Sequence, residues 1–192
     1  MKLSLLFLFF APLAYGQGPV MAGVAPVLEG GVGFSYMQAK VPSEGQLAMN
    51  GAEASLNADL QRHLGVKLDV GYSRSFDAFS TGHSADILTY MAGPVFYPVR
   101  RRNMHVYGEL LLGAARQTGV NSESNGQLVL GYVNKFAWAG GGGFQFRVTR
   151  SLSLRVGADY LRTAFFNSNV VVQREYNLRS SMSLIYTFGE RE

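Results

Sequence analysis

The stretch Tyr176-Asn177-Leu178-Arg179-Ser180-Ser181-Met182-Ser183-Leu184-Ile185-Tyr186-Thr187-Phe188 decides the fold. Read alternately, it separates into two faces. Tyr176, Leu178, Ser180, Met182, Leu184, Tyr186 and Phe188 form an apolar face with aromatics at both ends. Asn177, Arg179, Ser181, Ser183, Ile185 and Thr187 form a polar face with one charge. Successive side chains of a strand point to opposite sides, so a period of two means a strand between two different environments.

The same split recurs through the chain. In 28–39, Leu28, Val32, Phe34 and Tyr36 oppose Glu29, Gly31, Gly33 and Ser35. In 51–60, Ala52, Ala54, Leu56, Ala58 and Leu60 oppose Glu53, Ser55, Asn57 and Asp59. In 66–73, Val66, Leu68, Val70 and Tyr72 oppose Lys67, Asp69, Gly71 and Ser73. Segments 87–97, 104–115, 135–147 and 154–163 repeat the pattern, which with 176–188 makes eight strands. Their lengths are near the ~9–11 residues that cross a bilayer at a tilt. The connections 61–65, 98–103 and 149–153 are short, whereas 40–50, 74–86, 116–133 and 164–175 are longer and polar or rich in Gly and Ser. Short turns at one end and long loops at the other describe an all-β, antiparallel, up-and-down transmembrane barrel. An even strand count puts both chain ends beside the short turns.

A soluble eight-stranded barrel of the lipocalin type shares the period but turns its apolar face inward. Three features favour the inverted arrangement. Charges on the polar face are few and nearly balanced. Tyr36, Tyr72, Phe96, Tyr160, Tyr176, Tyr186 and Phe188 lie near strand ends on the apolar face, as interfacial girdles do. The polar face is rich in Gly and Ser, which suit a narrow lumen better than a solvated surface.

Composition narrows the class further. Of 192 residues, 47% are apolar and 16% charged, with 23 Gly, no Cys and a formal net charge of +4. The apolar fraction excludes disorder. The missing cysteines exclude a disulfide framework and thiolate metal or redox sites. The run Arg100-Arg101-Arg102 is too short to indicate nucleic acid. At the amino end, Met1-Lys2 precedes the apolar run from Leu3 to Phe10 and the small-residue site Ala14-Tyr15-Gly16. That order of charge, apolar core and cleavage site predicts a signal peptide over 1–16, with the barrel in 17–192. The run is too short for a membrane-crossing helix.

Several local sequences carry a family likeness. They are Phe34-Ser35-Tyr36-Met37-Gln38-Ala39, Met49-Asn50-Gly51, Gly93-Pro94, Trp138-Ala139-Gly140-Gly141-Gly142, Asp159-Tyr160-Leu161-Arg162-Thr163 and Asn177-Leu178-Arg179-Ser180-Ser181. In this order the chain resembles the short OmpA-like, porin-family outer-membrane proteins with an eight-stranded β-barrel domain. The resemblance implies residence in the outer membrane of a Gram-negative bacterium, contact with its lipid, and passage through the barrel assembly machinery. That machinery is thought to read a terminal aromatic. Tyr186-Thr187-Phe188 fits, although Gly189-Glu190-Arg191-Glu192 follows.

The register sends eleven charged residues inward: Lys67, Lys135, Arg147, Arg155 and Arg179 against Glu29, Glu53, Asp59, Asp69, Glu109 and Asp159. A barrel of eight strands is just wide enough for side chains to fill. Buried charges must be paired or they cost several kcal/mol each. The first expectation is a structural salt-bridge network that plugs the lumen. The alternative is a narrow ion path lined by charge.

Chemistry is poorly supported. The resembled family borders on a lipid A palmitoyltransferase and a lipid A deacylase, both of which use a His and a Ser. Here His83, Ser84 and Asp86 cluster in a long connection, but not at the deacylase's His-x-Ser spacing. His63 and His105 have no second His nearby for a metal. Gly140 to Gly143 lacks the following Lys-Ser/Thr of a phosphate loop and reads as curvature or close packing. No cofactor, catalytic residue or metal ligand is assigned. The expected function is structural or surface-interacting, as a monomer, with the loops open to an extracellular ligand. A small low-conductance pore comes second and a lipid A enzyme a distant third.

Overall fold

The computed structural model describes residues 27–41, 45–76, 83–122, 128–163, 167–168, 171–172 and 175–188. The predicted leader over 1–16, its cleavage at Gln17 and the tail 189–192 lie outside the described residues. The strands are β1 (Val27–Val41), β2 (Gly45–Gln61), β3 (Leu64–Ser75), β4 (Ala85–Arg100), β5 (Met104–Ser122), β6 (Leu128–Arg147), β7 (Leu152–Thr163), the two-residue β8 (Asn167–Ser168) and β9 (Val171–Val172), and β10 (Glu175–Phe188). All strands pair antiparallel with their neighbours. Eight of them close in the order β1-β10-β7-β6-β5-β4-β3-β2, while β8 and β9 pair separately. The closing seam is β1 on β10, from Leu28 opposite Phe188 to Gln38 opposite Leu178. Closure leaves the barrel sheet without an edge, the condition for backbone to cross hydrocarbon.

Burial settles which face is which. Val32, Phe34, Leu56, Leu68, Leu110, Leu112, Phe144, Met182 and Leu184 are all exposed on the outside. Glu29, Asp69, Arg155, Asp159 and Arg179 are all buried inside. A barrel with this distribution would aggregate in water and is stable against lipid tails.

Two departures from the sequence reading concern strand length and parity. The ladder of β5 with β6 continues from Met104 opposite Phe146 to Ser122 opposite Leu128. Most of 116–133, read as a loop, is therefore strand. In β4 the register against β5 shifts between Phe96 and Val99. Pro98 lacks an N–H for the ladder there, a usual setting for a bulge. Tyr97 keeps the inward parity of Met91 and Val95 and is buried, while beyond the bulge the extra residue resets parity and the Arg100 side chain also turns inward.

Candidate functional site

Seen from the short-turn end, the interior is built in layers. The first holds Glu29 (β1), Asn57 and Asp59 (β2), Tyr97 and Arg100 (β4), Tyr107 (β5), Gln145 (β6) and Arg155 (β7). Arg155 Nη2 donates to Glu29 Oε2 at 3.2 Å and to Gln145 Oε1 at 2.7 Å. Gln145 Nε2 returns a bond to Glu29 Oε1 at 3.2 Å. The Asn57 amide donates to Asp59 Oδ1 at 3.2 Å and to the Tyr97 hydroxyl at 2.6 Å. Arg100 closes the layer by pairing with Asp59. The Arg100 and Arg155 guanidinium groups lie 4.3 Å and 5.0 Å from the ring centres of Tyr97 and Tyr107. Cation–π attraction adds there to the ion pairs.

Asn57 is buried and links Glu29, Asp59 and Tyr97. Asn57→Ala leaves buried acceptors short of a donor, so the expected cost is about 1–3 kcal/mol. Urea unfolding from lipid vesicles, compared with the unsubstituted barrel, measures it.

The second layer is a chain of ions. Glu109 and Asp69 both meet the Lys67 ammonium, at 3.1 Å and 3.3 Å. Asp69 also meets Arg179 Nη1 at 2.9 Å. Arg179 grips Asp159 Oδ2 through Nη2 at 2.9 Å and Nε at 3.3 Å. Arg179 thus links β3 to β7 across the lumen from its place on β10. Glu53 accepts a hydrogen bond from Ser183 across the same level.

Glycine makes room for this layer at two places. A Cβ on Gly141 would meet the Asp159 carboxylate, and one on Gly157 would meet the Tyr107 hydroxyl. Close packing is therefore the reason for glycine at Gly141.

The third layer was not legible as a polar lumen. Toward the long connections the interior is filled by Met37, Met49, Ile87, Met91, Leu111, Ala115, Ala137, Ala139 and Leu161, all buried and in mutual contact. Asn177, donating to Thr163 Oγ1 at 3.3 Å, is a polar contact among them. The expectation of a polar interior holds for the lower half and is corrected for the upper half.

Of the eleven charges expected inside, Glu29, Glu53, Asp59, Lys67, Asp69, Glu109, Arg155, Asp159 and Arg179 are buried. Lys135 is exposed, because β6 carries it past the closed section, above the fully buried Ala137. Arg147 is only half-buried, at the opposite mouth. Sequence reasoning missed Arg100, which the bulge brings inward. It also missed the neutral partners Asn57, Gln145, Tyr97 and Tyr107, whose signal was their place on the inward parity of each strand.

Two members of the loop cluster, Ser84 and Asp86, both face Arg74. Arg74 donates to Ser84 Oγ at 3.3 Å and pairs with Asp86 at 3.5 Å, so the serine and the carboxylate are both turned to an arginine. Among the described residues no three His, Cys, Asp or Glu side chains gather as a metal site. His105 is buried edge-on to Tyr97, ring centres 6.2 Å apart.

Comparison with known proteins agrees with this architecture. The family model described as an outer membrane protein beta-barrel domain matches residues 4–183. No curated protein matches the chain. Among solved structures, the chain is similar to Ail, the attachment invasion locus protein of Yersinia pestis, solved with the heparin analogue sucrose octasulfate. The identity is 19%, covering 86% of this chain and 100% of that one, with a TM-score of 0.59. Neisserial surface protein A is similar at 15% identity over 84% of this chain and 97% of its own, TM-score 0.65. OprG of Pseudomonas aeruginosa is similar at 13% identity over 85% and 96%, TM-score 0.54. At these identities the likeness is one of fold.

Proposed function

The chain belongs to the outer membrane protein β-barrel family, and from that membership we propose that it is a plugged, monomeric barrel that serves the cell surface. Its place is the outer membrane, its outward belt held by lipid. Its role is structural or surface-interacting, through the strands and loops that project outside. The observation that carries this reading is the filled interior. Ion-paired layers occupy the lower half and an apolar layer the upper half. That leaves the external surface as the part free to act.

The β5–β6 ribbon is the exposed element best suited to contact. Arg116 and Lys135 stand exposed on it, and the Arg116 guanidinium lies 5.1 Å from the ring centre of the exposed Tyr132. Neither cation pairs with a carboxylate among the described residues. Sulfated polysaccharide is the first ligand class to test, since the Ail structure holds a heparin analogue. Cells displaying the barrel should bind immobilised heparin in a salt-sensitive way. Arg116→Gln with Lys135→Gln should weaken that binding several-fold. Wild-type binding no greater than that of cells lacking the barrel would remove this ligand from the reading.

Residues 1–16 act as the export leader in this reading, and assembly machinery receives the barrel in the periplasm. Mass spectrometry of outer-membrane fractions should find the mature protein starting at Gln17. Membrane-bound protein still carrying Met1 would contradict it.

A further inference from the structure

The short-turn end carries an unusual surplus of arginine. Arg62 lies on the turn after β2, Arg101 and Arg102 on the turn after β4, and Arg150 on the turn after β6. All four are exposed, and Arg147 beside them is half-buried. Among the described residues none of the five pairs with a carboxylate. No exposed Asp or Glu stands on these turns. Asp59, near the end of β2, is buried against Arg100. Neighbouring turns therefore place like charges around three of the four turn positions of one rim. This arrangement repels itself unless an anion lies between the charges.

The height of the rim selects the anion. The turns are short, so the arginines cannot reach far from the barrel wall. Exposed aliphatics lie two residues before them: Leu60 before Arg62, Val99 before Arg101, and Val148 before Arg150. Leu60 and Val99 are the penultimate residues of β2 and β4, and Val148 directly follows β6, so each of these arginines follows an exposed aliphatic at the end of the barrel wall. The guanidinium groups thus sit just past the hydrocarbon boundary, where lipid headgroups lie, with aliphatic stems free to lie along the apolar edge. A planar guanidinium matches a phosphate oxygen pair by bidentate hydrogen bonds.

We propose that this rim is a binding collar for anionic phospholipid headgroups of the periplasmic leaflet, with Arg62, Arg101, Arg102 and Arg150 as the phosphate-binding groups. Phosphate oxygens fill the spaces between the turns and relieve the repulsion among the guanidinium groups. The collar fixes the depth and tilt of the barrel independently of whatever the opposite end binds.

Electron spin resonance of spin-labelled lipids at the barrel surface tests the collar. The whole protein is refolded into phosphatidylcholine vesicles containing either labelled phosphatidylglycerol or labelled phosphatidylcholine. The unsubstituted barrel should prefer phosphatidylglycerol about three- to tenfold at low salt. The preference should fade toward unity in 1 M salt, where the Debye length is about 3 Å. Replacing the four arginines together (R62Q, R101Q, R102Q, R150Q) should abolish most of it, while four lysines there should keep most of it. Equal preference in the Gln variant and the unsubstituted barrel overturns the proposal. So does preference lost only when Arg74, Arg116 and Arg162 at the other end become Gln. No preference in the unsubstituted protein at low salt overturns it without any variant. If preference then appears on Glu190→Gln with Glu192→Gln, the chain's own tail is the occupant. Retention on isolated peptidoglycan sacculi without any lipid preference would assign the rim to the cell wall, which also overturns it.

Discussion

Replacing Arg179 by Ala is expected to destabilise the barrel by about 3–5 kcal/mol, the usual cost of breaking a buried ion pair from one side. Arg179 is 2% exposed and holds two carboxylates, Asp69 and Asp159, each at 2.9 Å. The two do not lose equally. Asp69 keeps Lys67 at 3.3 Å, whereas Arg179 is the one ion-pair partner of Asp159 among the described residues. Most of the penalty therefore falls on Asp159. Arg179→Ala combined with Asp159→Asn removes both the stranded charge and its former partner, and should recover a large part of the loss. The measurement is the urea midpoint of refolding into vesicles for the single and double variants. A wet, conducting lumen would screen the stranded carboxylate. Stability would then barely change while ion selectivity moved toward cations.

Leu110→Arg is expected to cost about 2–4 kcal/mol, the cost of a cation on the lipid face at the bilayer midplane. Leu110 is 49% exposed and lies at the middle of the outward run Val106, Gly108, Leu110, Leu112 and Ala114 on β5. Its neighbour Leu111 is fully buried on the other face. Leu111 therefore supplies a contrast within one residue, failing through overpacking and charge burial in the apolar layer rather than through lipid. Near-neutral behaviour of Leu110→Arg would mean that lipid does not cover this face.

Alternation made the barrel legible because it is a property of the backbone. Each strand from β1 to β10 that joins the barrel shows its apolar positions in sequence, and closure follows from the even count and the alternating loop lengths. What alternation could not show was anything that breaks its own parity or is common to both faces. Pro98 and the bulge around it put Arg100 inward, whereas the sequence places it in the connection 98–103 and a strict period of two would face it outward. The apolar upper layer was hidden because its residues share strands with the lipid belt. Leu110-Leu111-Leu112 and Met91-Ala92 are apolar on both sides, the mark of a strand buried twice, and that was the signal available.

The charge set was legible in kind more than in pairing. Parity alone placed Arg155 and Asp159 on one face of β7. Only the closed sheet shows Arg155 reaching Glu29 and Asp159 held by Arg179 from the neighbouring strand. Lys135 failed for a simple reason: parity says which side a residue faces, while strand height says whether the barrel is still closed there. β6 starts at Leu128, seven residues before Lys135 in the sequence, but pairs with β7 only from Ala137 onward, so the sheet is not yet closed at Lys135.

Planar-bilayer recording of the refolded wild-type barrel distinguishes a filled interior from an open one. Both halves of the interior obstruct ions, the lower by committed ion pairs and the upper by packed Met, Leu and Ala side chains. A filled interior gives a flat current trace at moderate voltage, with the barrel shown to be folded by its heat-modifiable mobility on gels. Discrete, reproducible current steps whose ion selectivity shifts in the Arg179→Ala variant would contradict it and make the protein a small pore.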